Sequence, residues 1–525
     1  MNEHSDVPVP STGESSSARL SGPPFLFSGS PIAFALLLLV LIMACQGRRG
    51  IWDPDEGRYC AAALQMIRHN DYLHIQLHPE HPHYAKPPLT YWLIAAGFRA
   101  FGRNAFAARL PNSLAFWATC LLLWHLGRRV IPGREWLAPL VHATSVLPAV
   151  AAHLATTDTI LTFMEVLAVS SFLFAQEAQS GRRRHACLAL MWLGFGLAFL
   201  TKGPPGLLPL LPIIVYSWIR DGFRKTVLVV VHPGLIVFAV VGLGWFWAVI
   251  RSRPELFDYF LKHEVMARVT SDVHDQHPEW YGALLVYVPV IVLGSLPWTV
   301  PVLKGTARIL PFLRRATRVN LARTDPMGLF MILWFLLPLV VLSCAKSRLP
   351  LYFLPFYPPV ALLIAKSIGD RALAWGKRKR ALLLAWCLVL VGARVAAAHI
   401  PLRKDCRIFA RAIREQVTAP FDELTFIDAQ PRYGLALYLD CEMERIAATD
   451  SEPLPYRFHY QTLREELEGP EQGQRRLFVV KDREEQRFVD TARTLGYKAA
   501  YQGGWHYYRL YLLSKSSESR QAPGG

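Results

Sequence analysis

The sequence predicts an all-α, multi-span membrane domain followed by a small soluble α/β domain. Three observations predict it. The 525 residues are 52% hydrophobic and only 18% charged, too apolar for an ordinary soluble chain. The apolar residues fall in blocks of roughly 17–25, the length that crosses a hydrocarbon core. Basic residues crowd every second connection between those blocks, as the positive-inside rule requires.

Taken in order, the blocks read as about eleven spans, near 26–46, 106–127, 135–153, 157–176, 186–201, 204–220, 226–250, 281–303, 327–344, 349–367 and 380–398. The formal net charge of +17 could suggest a nucleic-acid partner. Its placement excludes one. The charge sits at Arg128, Arg129 and Arg134, at Arg182 to Arg184, at Arg220, Arg224 and Lys225, from Lys304 to Arg323 (Arg308, Arg314, Arg315 and Arg318 between them), and at Lys377 to Arg380. Those connections are expected to be cytoplasmic, and the intervening loops and everything after the last span to lie outside. Arg48 and Arg49 run against this pattern.

Residues 1–30 are rich in Ser, Pro and Gly and read as a disordered cytoplasmic N-terminus, with the first span an uncleaved anchor. Residues 31–398 form the membrane domain, with long outer loops at 47–105 and 251–280. Residues 400–515 form the outer α/β domain, and 516–525 a tail. In the outer domain, Arg407–Val417 and Arg483–Leu495 have helical period. Leu424–Ile427, Leu477–Val480 and Trp505–Leu513 read as strands, the last of them alternatively as a hairpin. Of eight cysteines, five fall in or beside spans; Cys406 and Cys441 lie outside, where a disulfide is open to them. In the first outer loop, Glu56–His69 and Pro88–Phe101 suit helices lying in the membrane interface.

Ionisable side chains near hydrocarbon usually serve a function, and they collect on the outer side. Asp55, in Asp53-Pro54-Asp55-Glu56-Gly57-Arg58-Tyr59, is either a helix cap or a base, metal ligand or electrostatic partner. Lys86, in Tyr84-Ala85-Lys86-Pro87-Pro88-Leu89, is held at head-group level by prolines, as a phosphate ligand or a snorkelling interface lysine. Asp158, at the outer turn before the fourth span, either caps that span or joins Asp55 in a shared site. Lys202, Arg348 and Tyr352 mark further outer turns, and Arg253, Lys262, His263, Glu264, Arg268, His274, His277 and Glu279 occupy the second long loop. Cations from several outer turns, with carboxylates from two, predict an anion-binding cavity. His74, His78, His81 and His83 crowd one loop, as metal ligands or as a solvated surface, with carboxylate and Cys partners at metal spacing missing. A transporter would carry charges near mid-membrane, whereas the spans are nearly free of acids apart from Glu165.

These residues resemble a known family. Asp55-Glu56-Gly57-Arg58-Tyr59, Lys86-Pro87-Pro88-Leu89-Thr90-Tyr91-Trp92-Leu93, Phe106-Ala107-Ala108-Arg109-Leu110-Pro111, Thr157-Asp158, Leu200-Thr201-Lys202-Gly203-Pro204 and Lys346-Ser347-Arg348-Leu349-Pro350-Leu351-Tyr352 stand in the order found in the bacterial ArnT-like branch of the GT-C glycosyltransferases. The resemblance covers about residues 31–368; eukaryotic protein O-mannosyltransferases are more distant relatives. It implies transfer of a sugar from a polyprenyl-phosphate donor to an acceptor, in the ArnT branch from undecaprenyl-phosphate aminoarabinose to a lipid A phosphate. It implies phosphate binding by Lys86, Arg268 and Tyr352, substrate contacts from Arg58 and Lys202, and catalytic roles for Asp55 and Asp158. The acceptor is a lipid A, a glycan or a protein, and the home a bacterial inner membrane with the site on the periplasmic side. Protein O-mannosyl transfer and lipid or sugar transport are the alternatives. No cofactor follows with certainty. A divalent metal in this branch uses a Glu before the loop lysine and a His from the second loop; the latter matches His263, but the former position is Ala85.

Overall fold

The computed structural model describes residues 30–79, 81–266, 279, 281–309, 321–373, 376–449, 460–469 and 475–515. The N-terminal stretch to residue 29, the basic residues Arg314, Arg315 and Arg318, and the tail 516–525 lie outside the described residues.

Apolar sequence and helix-compatible composition produce a mostly helical chain. It begins with α1 (Pro31–Met43) and α2 (Asp55–His69), a short hairpin of β1 (Gln76–His78) and β2 (His81–Pro82), and α3 (Leu89–Phe101). Then come α4 (Ala105–Val130), the pair α5 (Leu137–Thr144) and α6 (Val146–Ala151), α7 (Thr157–Gln176), α8 (Gly181–Lys202) and α9 (Leu210–Asp221). Later apolar helices are Phe223–Ser252, Gly282–Gly294, Pro326–Cys344, Pro350–Gly369 and Lys377–His399. Among the described residues seven helices are long and apolar enough to cross a membrane, and α1 and Gly282–Gly294 are shorter apolar ones.

Each expected span meets helix, but several are broken, with prolines at the breaks; the 226–250 block, for one, is interrupted at Val231–Pro233 between Phe223–Val230 and Gly234–Phe238. The 135–153 block divides at Ser145, whose backbone is extended just before α6, with Pro148 in that helix's first turn. The 204–220 block starts as a tight turn at Pro204–Leu207 before α9. The 281–303 block stops at Gly294 and restarts at Thr299, across Pro297. Helix ends are tied at both levels. At one end Asn112 Nδ2 donates to the Thr156 carbonyl at 2.7 Å, joining α4 to the α6–α7 turn. At the other, Arg129 pairs with Glu177 at 2.8 Å, where the basic connections gather.

The outer domain carries strands β3 (Glu423–Ile427), β4 (Glu442–Ile446), β5 (Arg476–Lys481), β6 (Tyr497–Trp505) and β7 (Tyr508–Lys515) in the order β4-β3-β5-β7-β6. The first three neighbours are parallel; β7 runs antiparallel to β5 and β6. Thr425 lies opposite Glu444 and Phe478, and Leu424 opposite Met443 and Leu477. Helices Cys406–Gln416 and Glu485–Thr494 match the expected helical stretches. β4 goes beyond the strands expected from sequence. Three of its five residues, Glu442, Glu444 and Arg445, are charged, which hides a strand from an apolar-pattern reading.

The first loop forms its two expected helices, and the apolar face of α2 is covered by protein. α2 does not lie open on a membrane surface; Glu56, Gly57 and the run Cys60–Met66 are all buried. One continuous apolar cluster joins Ala61 and Leu64 of α2, Ile94 and Phe98 of α3, Phe409 and Ile413 of the outer helix, and Leu424 and Leu477 of the sheet. α2 is therefore the layer between the apolar helices and the C-terminal domain.

The disulfide that the sequence leaves open does not form. Cys406 and Cys441 are both free and buried. Cys406 instead donates its thiol to Asp53 Oδ2 at 2.5 Å, and the Gly434 amide donates to Asp53 Oδ1 at 3.1 Å. Burial pushes the Asp53 carboxyl up to about 6, with those two donors pulling the other way.

Candidate active site

A candidate site forms where the turns at one end of several helices meet. α2 begins at Asp55 after Pro54, and neither Asp53 nor Asp55 caps it with a side-chain hydrogen bond. Acidic residues in a first turn are favourable beside the positive helix end. Asp55 is exposed and pairs with Arg58 one turn on, at 2.7 Å. Glu56 points the opposite way, into the protein. It accepts from Arg109 Nε at 2.7 Å and Nη2 at 2.9 Å, and from Arg49 Nη1 at 2.8 Å and Nη2 at 3.0 Å. The Trp52 and Ala155 amides add bonds at 3.0 and 3.1 Å. Burial raises the Glu56 carboxyl, but Arg109 and Arg49 outweigh it and hold the group at about 2.

This knot explains why Arg49 breaks the charge rule. Arg49 is buried as the counter-ion of Glu56, so it never faces solvent on either side. In the sequence, Glu56 and Arg109 appear only as parts of motifs, with no role of their own. A signal exists all the same: Arg109 is the one charged residue of α4 before Arg128, and a buried cation in such a helix needs an acid.

The knot ties the start of α2 to α4 and to the turn before α7, which brings Asp158 close. Asp158 is buried in the first turn of α7 and pairs with Lys202 at 2.5 Å. It does not act as the cap, which is Thr156 with no side-chain bond. Lys202, the last residue of α8, also lies over the Tyr352 ring at 4.1 Å. Tyr59, on the turn of α2 after Asp55, sits beside Thr157 and Asp158; burial and then Asp158 push its phenol up. Asp158, Lys202 and Tyr352 are thus one cluster.

Lys86 belongs to an adjoining group. Its Nζ donates to the Ala85 carbonyl at 2.8 Å. His83 is half-buried nearby and held down at about 3 by desolvation, then by Arg58 and Lys86. The Tyr91 ring is 6.4 Å from His83 and 5.2 Å from Tyr59, so aromatic contacts connect the Lys86 group to the Asp158 cluster. Tyr84 stands 6.2 Å from Phe260 and 6.4 Å from Trp245 by ring centroids, which brings the second long loop against the first. Arg348 is buried and donates to the carbonyls of Glu279 and Ser343, at 2.9 and 3.0 Å, so it anchors that loop to the turn before Tyr352.

The second long loop supplies fewer of its expected groups. Arg268 lies outside the described residues, as do His274 and His277, and nothing is described of the His263 side chain. The family-type metal does not fit the residues present: Ala85 has no ligating side chain, and its carbonyl already accepts Lys86.

Known proteins share both the sequence and the architecture. Residues 85–247 match the family described as dolichyl-phosphate-mannose-protein mannosyltransferase. An undecaprenyl phosphate-alpha-4-amino-4-deoxy-L-arabinose arabinosyl transferase of Pseudomonas fluorescens is 30% identical over 65% of this chain and 60% of its own length. The crystal structure of ArnT from Cupriavidus metallidurans, bound to undecaprenyl phosphate, superposes with a TM-score of 0.72 at 20% identity, covering 93% of this chain and 98% of that one. The fold is that of the ArnT-like GT-C glycosyltransferases. An Archaeoglobus fulgidus oligosaccharyltransferase shares the architecture more loosely, at a TM-score of 0.53 and 14% identity over 90% of this chain and 71% of its own. The chain spans about 60% of the length of the curated arabinosyl transferases it matches. With its apolar helices and these relatives, it is a multi-pass bacterial inner-membrane protein.

Proposed function

We propose that this protein is a membrane glycosyltransferase that moves a sugar from an undecaprenyl-phosphate carrier to a periplasmic acceptor such as lipid A. The observation that carries the reading is the convergence of Asp158, Lys202 and Tyr352, with the Asp55–Arg58 pair and Lys86 beside them, at one end of an ArnT-like bundle. The basic connections gather at the opposite end, which supports a periplasmic site.

The chemistry follows from charge. The carrier leaves as a lipid phosphate, and cations that neutralise its growing charge speed its departure. Lys86 and Arg58 face that phosphate, Arg268 adds to them by resemblance, and Tyr352 with Lys202 completes the wall. The acceptor oxygen forms a bond to the anomeric carbon as the bond from that carbon to the phosphate oxygen breaks. The electron pair stays on the phosphate, and the anomeric centre inverts. A phosphate acceptor is already anionic and needs no base. Asp55 then orients the incoming group or holds an amino substituent of the sugar; with a hydroxyl acceptor it takes the proton. Asp158 holds Lys202 in place by its ion pair.

The test is transfer from undecaprenyl-phosphate aminoarabinose to lipid A in membranes containing the full chain, with mass spectrometry of lipid A from cells with and without the gene. Asp55→Ala and Lys86→Ala should each abolish the added mass. Full transfer in both variants would sink the assignment, and addition to another envelope glycan or to protein would move the acceptor while keeping the reaction.

A further inference from the structure

The histidine-rich loop is not a solvated surface. His78 ends β1, His81 opens β2, and both imidazoles are buried against the outer domain, 6% exposed each. They meet Glu423 of β3 and Glu444 of β4, each 1% exposed. No sequence-local pattern could show this, because the acids stand more than 300 residues away along the chain.

We propose that His78, His81 and Glu444, with Glu423 beside them, form a closed site for a divalent cation of the zinc type, stapling the first outer loop to the outer domain. Ligand atoms of His78, His81 and Glu444 all lie within 4.8 Å of one another. His78 Nε2 is 3.5 Å from Glu423 Oε1, and His81 Nε2 is 3.8 Å from Glu444 Oε1. Those separations are longer than a well-formed hydrogen bond. They match two ligands of one tetrahedral ion, which stand roughly 3.4 Å apart when bonds are near 2.1 Å. Two imidazoles with carboxylates are a donor set that suits zinc.

Charge points the same way. Glu466 also lies in this buried group, within 4.8 Å of Glu423 and Glu444. Three buried carboxyls therefore face one buried guanidinium, Arg476, which pairs with Glu423 at 3.0 Å and with Glu466. Among the described side chains, buried carboxyls thus outnumber the buried guanidinium, an excess of acid that a divalent ion would offset. The residues are distinct from Ala85 and His263, where the family-type metal would be held. Lys86 follows β2 by four residues, so an ion here would fix the path of the segment that carries it.

The experiment measures metal in the full-length protein purified in detergent, exposed to Zn²⁺ and then dialysed. About one zinc per chain is expected, dropping at least about fivefold in His81→Asn and Glu444→Gln but unchanged in His263→Ala. The zinc absorption edge of the wild type should show nitrogen and oxygen ligands without sulfur, a readout that holds even if a variant does not fold. EDTA should lower the thermal midpoint of the wild type and leave that of Glu444→Gln unchanged. Less than about a tenth of an equivalent in the zinc-exposed wild type, sulfur ligation, or loss of zinc only in His263→Ala would overturn the proposal.

Discussion

Asp55 and Glu56 are neighbours in the chain and opposites in the molecule. Asp55 projects outward, more than half exposed, with a single ion pair to Arg58. Glu56 is 2% exposed and collects six donors from two arginines and two backbone amides. A rotation of about 100° per residue along one helix separates an exposed carboxylate from one that holds the fold. Ionisable residues crowded at a membrane edge therefore need not serve one purpose. Burial and partner count divide the scaffold from the exposed residues.

The contrast breaks first at Glu56. Glu56→Ala leaves Arg109 and Arg49 buried without an acid, and should cost about 3–5 kcal/mol, enough to deplete folded protein. Yield of monodisperse protein and its thermal midpoint measure this. Asp55→Ala should do the reverse, lowering sugar transfer by about 10²-fold while the thermal midpoint stays near wild type. A loss of folded protein in Asp55→Ala comparable to that in Glu56→Ala would erase the distinction.

Asp53 offers a pH version. Its folded carboxyl is raised to about 6 from an ordinary 3.8, so folding takes up protons between those values. Its contribution therefore favours the folded state at low pH and weakens as pH rises from about 4 to 6, by about 3 kcal/mol. Asp53→Asn should flatten that slope in denaturant midpoints. Glu56 behaves oppositely: its depressed carboxyl stabilises above about 4.5, and that contribution fades as pH falls toward 2. The smallest effect is expected at the exposed pair, where Arg58→Gln should change stability by no more than about 1 kcal/mol.

Much of the membrane part was legible because hydrocarbon imposes one rule on every span, and the apolar blocks record it. The breaks at Ser145, Pro204 and Pro297 were less so, since proline is common both inside spans and at their ends. Asp158, Lys202 and Tyr352 stand out in sequence at their outer turns, and the structure brings them together. The Glu56 knot was hidden, because a motif does not separate residues that meet substrate from residues that brace the fold. The burial of His78 and His81, the strand β4 and the thiol contact of Cys406 depend on partners far along the chain. Such partners leave no trace in local spacing.

The residues from Asp55 to Tyr59 face different neighbours. Asp55 meets Arg58, Glu56 the two buried arginines, and Tyr59 the turn at Asp158. Gly57 has no room for a methyl group, since one would strike the Asp53 carboxylate and stand 2.6 Å from the Gly434 nitrogen. The segment is thus locked in helical phase. One inserted residue would turn every later side chain by about 100° and misdirect all of these contacts at once. The length of this turn therefore sets the exposed pair, the buried brace and the Asp158 contact together, and no one of them can shift in register without the others.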